Sequence, residues 1–489
     1  MQASFSNSNE DEVKIGLECH VQLTSLKSKL FCGCSADYRG KEPNTLVCPV
    51  CLGLPGSLPV PNKKAVEYGI MIASALNCEI AEICSFYRKN YTYVDLPKNY
   101  QISMYEAPDG SRTLARNGYL ELRVDGSRKR IGIWRVQLEE DPGRNVFKGS
   151  IVTSPETLVD YNRSGVALCE IVTAPDISSP KEARLFAQKL RSIVEHLGIT
   201  DGSLEGSMRF DANISVAGGK SVEIKNISSF KALQRALSFE ISRQRSMVKR
   251  GAAVGRETRH YDEARKITVS LRTKETAEDY RYFRDPDLMP IKIDPQMVRS
   301  IVSSMPELPD ARASRFVSQY GLPEYDAGVL TASKKLADFF EECVSLYNQP
   351  KKISNWLMTE LLGYLNEKGL ELEELPISAR HLVELIRLID EETISGKIGK
   401  TVFREMVQSG EYPSRIVEKR SMTRIADRNQ LEKIVEEVFK ENPDAVRDSL
   451  SDPRARNFLV GQVMKKTRGR ADPVLTNRLI SERLEKLKA

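Results

Sequence analysis

The sequence of 489 residues changes its hydrophobic period once, at the proline-rich stretch DPDLMPIKIDP (285–295). Before it, apolar residues alternate with polar ones in VKIGLECHVQL, GYLELRVDG, RKRIGIWRVQL, VALCEIV, SMRFDANISV and KSVEIKNI. Alternation of this kind belongs to strands with one buried face. After it, the spacing is helical, as in SNWLMTELLGYL (354–365), where Leu357, Leu361 and Tyr364 share a stripe. Proline carries neither pattern onward, so the stretch reads as a boundary. The chain is therefore α+β, with a strand-rich region followed by a helical one. Helical spacing also interrupts the first region at 62–77, at 180–197 and from near Ser228 through Leu237. The second of these begins with Ser179 as N-cap, Pro180 at N1 and Glu182 at N3. GEYPS (410–414) marks a further boundary, and a chain of this length accommodates two to four domains.

Charge is unevenly placed. Residues 412–489 hold 18 Lys and Arg against 12 Asp and Glu, out of 73 and 67 in the chain, so the remainder is balanced. Within that tail Arg454, Arg456, Lys465, Lys466, Arg468 and Arg470 occur with no acid between them. Such a segment suits a polyanion, although a solvated helix face has the same composition. No apolar run approaches the ~20 residues of a membrane span. The opening MQASFSNSNE reads as a disordered tail rather than a signal.

Nine cysteines divide into two groups. Cys19, Cys78, Cys84, Cys169 and Cys343 are scattered in largely apolar contexts. Cys32, Cys34, Cys48 and Cys51 form FCGC and CPVC, separated by 13 residues. Two short thiolate knuckles joined by a loop make a closed tetrahedral zinc site of structural type. Gly33 permits the tighter first knuckle. Unliganded thiols are the plain alternative, and an odd cysteine count in a large chain argues for a reducing compartment.

The strand at GLECHVQL carries Glu18 and His20 on its polar face. Comparable carboxylates recur. Glu140 alternates with Trp134, Val136 and Leu138; Glu170 lies in an apolar strand; Arg209, Asp211 and Asn213 share one face, as do Glu223 and Lys225. A buried carboxylate must be paired, protonated or metal-bound. Oxygen ligands with one imidazole suit a Mg2+–nucleotide site; salt-bridged structural carboxylates are the competing reading. No phosphate-binding loop is present. GKIGKT (396–401) has Ile394 where the first glycine belongs and lies among helices.

These stretches, with RKNYTYVDLPKNYQIS (88–103), LEEDPGR (138–144), VDYNRSG (159–165), ETRHYDEA (257–264), DYRYFRDPDL (279–288) and NFLVGQVMKKTRG (457–469), resemble one family. It is the B subunit of the aspartyl/glutamyl-tRNA amidotransferase, and the resemblance runs in order from Val13 to the C-terminus. Cys19 replaces the usual aliphatic residue, and Ala167 stands where the family has proline. The cysteine set occurs in only part of the family, so zinc rests on spacing.

The resemblance implies an ATP- and Mg2+-dependent ligase subunit that takes glutamine-derived ammonia. Mischarged Glu-tRNA(Gln) or Asp-tRNA(Asn) is phosphorylated on its side-chain carboxylate. Ammonia from a separate amidase A subunit then displaces phosphate, and a small C subunit completes a cytoplasmic heterotrimer. Glu18, His20 and Glu140 become the catalytic residues, and Glu18, His20, Glu140 and Glu223 the Mg2+ ligands. Lys89, Arg163, Glu170, Asp211 and Lys225 become contacts to ATP or substrate. The resemblance also implies an antiparallel-sheet catalytic cradle at 1–293, a helical domain at 294–411 and a small helical tail at 412–489. The six basic tail residues would grip tRNA. A tRNA-binding scaffold without catalysis in the same complex is the alternative.

Overall fold

The computed structural model describes residues 12–107, 110, 112–148, 154–273, 277–425, 427–451, 455–467 and 469–488. It divides into two compact units, Met1–Ala311 and Arg312–Ala489.

The first unit is built on a twelve-stranded sheet. Its central strand is Val13–Gln22, flanked by Met208–Val216 on one side and Ala167–Thr173 on the other. Beyond Met208–Val216 come Val222–Ile227, Glu257–Asp262 and Ile267–Thr273. Beyond Ala167–Thr173 come Ser127–Glu140, Tyr100–Met104 and Phe86–Asn90. Neighbours run antiparallel, as the resemblance implied, with one exception among the described residues: Val222–Ile227 pairs in parallel with Glu257–Asp262. The helix Phe230–Lys249 provides the crossover such a pair needs. It extends well past Leu237 because Ile241 and Gln244 are also buried.

Val13, Ile15, Leu17, Cys19 and Val21 enter the core, where Cys19 is simply a small apolar residue. Helices Lys63–Ala75, Pro180–His196 and Phe230–Lys249 contribute their apolar stripes to that core. Ser179 caps the second by accepting from the Glu182 amide, at 3.2 Å. With helices on one face, the polar residues of each strand lie on the other.

Gly118 lies on the strand Ala115–Val124, where the chain passes the end of the first helix. A methyl group there would meet Cys78 Sγ and lie 2.5 Å from the Leu76 carbonyl oxygen. Backbone cannot yield as a side chain can. Gly118→Ala is expected to destabilise the protein by about 1–3 kcal/mol, seen as a lower Tm.

Helix Pro295–Ser303 follows the proline-rich stretch but packs Met297, Val298 and Ile301 on the first core, so this unit outlasts the change of period. The second unit holds two helical cores, one reaching from Phe316 to Val417 and one from Ile425 to Leu484. Helix Pro413–Lys419 gives Ile416 and Val417 to the earlier core, although it follows GEYPS. GKIGKT falls inside helix Gly396–Ser409, whose Ser395 cap occupies its amide ends, and forms no phosphate loop.

Candidate active site and metal clusters

Strand register assembles the polar face into a row. Glu18 pairs across the sheet with Asp211, His20 with both Arg209 and Glu170, Glu170 with Gln137, Glu139 with Ser103, and Asn213 with Glu223. Residues paired in this way point to the same face. His20 is the centre of the row: its Nε2 lies 3.6 Å from Glu139 Oε1 and 3.8 Å from Glu170 Oε1. One ligand atom from each of His20, Glu139 and Glu170 falls within 4.8 Å of the others, a spacing that fits one cation.

Neighbouring side chains hold these groups in place. Gln137 Nε2 donates to Glu170 and, at 3.3 Å, to Ser103 Oγ. Ser103 Oγ donates to Glu139 Oε2 at 3.2 Å. Asn213 Nδ2 donates to Glu18 Oε1 at 2.9 Å, and Thr258 Oγ1 to Glu223 Oε2 at 2.9 Å. Lys225 Nζ lies 3.8 Å from Glu223 Oε1.

The electrostatics follow from crowding. Burial, then the charges of Glu170, Asp211 and Glu223, raise the pKa of Glu18 above its ordinary value. Burial and Glu170 raise that of Glu139, against the pull of His20 and Lys89. Lys89 is half-buried against Tyr280, its Nζ 4.9 Å from the ring centroid. Burial works against its ammonium, but Tyr282, Tyr91, Glu139 and Glu170 hold its pKa well above the ordinary value.

Two expected residues lie elsewhere. Glu140 does not join the row. It projects toward the core with Val136 and Leu138, where Lys98 Nζ lies 2.5 Å from Oε1 and the Ile102 amide donates to the same oxygen at 2.8 Å. Its neighbour Glu139 takes the place expected of it, since adjacent strand residues face opposite ways. Arg163 donates to the carbonyls of Pro142 and Gly143 at 3.0 and 2.8 Å, and its Nε lies 3.7 Å from Asp141 Oδ1, so it fastens a turn beside Asp141 rather than joining the cluster at His20. Asp141, in that turn, has its carboxyl pKa lowered: burial opposes this, but Arg163 and Arg209 outweigh it.

The four clustered cysteines also converge, their sulfur atoms within 4.8 Å of one another. Cys48 Sγ and Cys51 Sγ are 3.9 Å apart. A tetrahedron with Zn–S bonds of about 2.3 Å has edges of roughly 3.8 Å, so the donor set can hold such an ion.

In the tail, Arg454 and Arg468 lie outside the described residues. Arg456 is half-buried at the start of helix Arg456–Lys466, and Lys465 is exposed near its end. Lys466 pairs with Glu437 at 2.9 Å and with Glu441. Arg470 donates to the carbonyls of Thr467 and Ser421 at 3.1 and 2.9 Å, so part of the basic excess is used internally. Among the described residues no helix is long and apolar enough to cross a membrane.

Residues 13–299 match the GatB/GatE catalytic domain family, and residues 338–484 match the GatB domain family. The B subunit of the aspartyl/glutamyl-tRNA(Asn/Gln) amidotransferase of Carboxydothermus hydrogenoformans is 52% identical over 486 residues, covering 98% of this chain and all of that protein. The corresponding protein of Saccharolobus solfataricus is 51% identical over 96% of this chain and 99% of its own length. That of Thermotoga maritima is 49% identical over 96% of this chain and 98% of its own. With both domains matched and relatives at this identity along nearly the whole length, the chain belongs to the family of aspartyl/glutamyl-tRNA(Asn/Gln) amidotransferase B subunits.

Proposed function

We propose that the chain amidates a glutamate or aspartate carried by a mischarged tRNA, using ATP to activate the side-chain carboxylate. The observation that carries this reading is the row of acidic side chains around His20, crowded enough to raise the pKa of Glu18 and Glu139. A carboxylate is a poor acyl donor because oxide is its leaving group. Its oxygen attacks the terminal phosphoryl of ATP, ADP departs, and the acyl phosphate then carries a good leaving group. Ammonia adds to the carbonyl carbon and phosphate leaves, giving the amide. Phosphoryl transfer of this kind needs alignment and charge neutralisation rather than covalent help.

His20, Glu139 and Glu170 would hold Mg2+, which when bound supplies positive charge against the triphosphate. Glu18, Asp211 and Glu223 extend the acidic row toward the nucleotide, and Lys225 and Lys89 offer cations to phosphate or substrate carboxylate. Zinc in the four-cysteine cluster would be structural. Ammonia would come from an amidase subunit, with a third, small subunit completing a cytoplasmic complex. The helical module from about residue 412 onward would hold the tRNA backbone, with Lys465 among its exposed cations.

The test is amidation by the reconstituted complex, with glutamine and ATP, on Glu-tRNA(Gln) and Asp-tRNA(Asn). We expect ADP release matched by amide formation, and no use of glutamine by this chain alone. Full activity after both His20→Ala and Glu139→Gln would leave only the scaffold reading.

A linked prediction concerns pH. Unfolded, Glu18 and Glu139 titrate near the ordinary value of 4.5; folded, they hold protons to higher pH. Between the two values the folded protein binds more protons, so stability falls as pH rises through that window. Metal-free protein should therefore lose Tm above about pH 5, and MgCl2 should restore more at about pH 8 than at about pH 5. An equal gain at both would place the cation elsewhere.

A further inference from the structure

Lys29 is fully buried, a rare position for an ammonium group. It lies three residues before Cys32, at the junction of the cysteine knuckle and the sheet. Its Nζ donates to the Leu46 carbonyl at 2.8 Å and lies 3.7 Å from Cys51 Sγ. Among the described residues no carboxylate comes within ion-pair distance of it. A buried cation with only a carbonyl and a thiol beside it would be strongly unfavourable if the thiol were neutral. Four thiolates around one divalent zinc leave two negative charges, which is the counter-charge this ammonium lacks.

Several backbone bonds keep the group where it is. The Lys29 amide donates to the Cys34 carbonyl at 3.0 Å, and the Leu30 amide to the Gly165 carbonyl at 2.9 Å. The stem of Lys29 passes Gly165, where an added methyl would lie 3.5 Å from its Cδ. These bonds fix the main chain from which the buried side chain reaches the sulfurs. From this we infer that Lys29 is a positioning residue for the four-cysteine site, its ammonium neutralising part of the thiolate charge and so slowing loss of zinc. This rests on the reading of Cys32, Cys34, Cys48 and Cys51 as a zinc site.

The test uses the full-length chain purified with its metal and follows zinc transfer to a chromophoric chelator. Wild-type protein should hold about one zinc per chain. Lys29→Met keeps the apolar stem but not the charge, and should release zinc ~10- to 100-fold faster. Lys29→Arg keeps the charge and should release it within about threefold of wild type. In cobalt-loaded Lys29→Met, the thiolate-to-metal absorption band should move to longer wavelength, which altered packing alone does not produce. Unchanged release and an unchanged band, in a variant holding one zinc, overturn the role of Lys29 and leave the cysteine site standing. Wild-type protein that holds no zinc overturns the site, and the inference with it. If Lys29→Met fails to fold, the same change is made in a background with all four cysteines replaced by serine. There the thiolate charge is gone and the substitution should cost no stability; a variant that fails to fold in that background too overturns the inference.

Discussion

His20→Ala in the reconstituted complex is expected to lower amidation by about 10²- to 10³-fold, while affinity for the mischarged tRNA stays at the wild-type value. The size follows from what the imidazole touches. Its Nε2 lies within 4 Å of both Glu139 and Glu170, and removing it takes a ligand from the proposed cation site and a positive influence from Glu139. Glu139→Gln, which keeps shape and loses charge, is expected to cost a comparable factor. Parallel measurements of ADP release and tRNA binding separate chemistry from recognition. A variant with normal amidation would remove His20 from the site.

Glu140→Ala has an effect of another kind. It leaves Lys98, whose side chain is only 6% exposed, without its carboxylate. Breaking a buried pair from one side costs about 3–5 kcal/mol, because the remaining charge has nowhere to go. In a unit of this size that is a Tm lower by roughly 10 °C. The double variant Glu140→Leu with Lys98→Met should recover most of the loss, since a buried pair replaced by apolar groups of similar volume is near neutral. If Glu140→Ala kept its Tm and lost only activity, Glu140 would belong with the catalytic residues after all.

The contrast between these two glutamates shows what the sequence made legible. Period two was enough to put Glu18 and His20 on a common face. The same rule, applied to LEED, identifies a buried carboxylate at Glu140 but not its partner. Lys98 reaches it from a loop 42 residues earlier, and no local pattern encodes that distance. Glu139 becomes visible only once the strand is set beside Ala167–Thr173, where the register brings its face round to that of Glu170. A register shift after Val172 adds to the difficulty: Trp134, counted with the buried residues by alternation, is 56% exposed. The cysteine cluster was legible throughout because its constraint is short-range. Local periods also placed the helices, but not the units they join. Pro295–Ser303 and Pro413–Lys419 each follow a clear break and still pack on the core before it, because an amphipathic helix goes where its stripe is best covered.

The position of Val13–Gln22 at the middle of the sheet sets an order of events on the ribosome. This strand is synthesised before the rest of its sheet, yet Glu18 must wait for Val172 on one side and Asp211 on the other. At about 5–20 residues per second, some 200 residues take roughly 10–40 s to appear. For that interval a strand with two unpaired edges and one apolar face is open to the cell. Glu18 and His20 are thus made early and flanked late, only once both neighbouring strands have appeared. Folding of the cradle is consequently slow, dominated by distant pairings, and dependent on keeping that early strand from finding other partners.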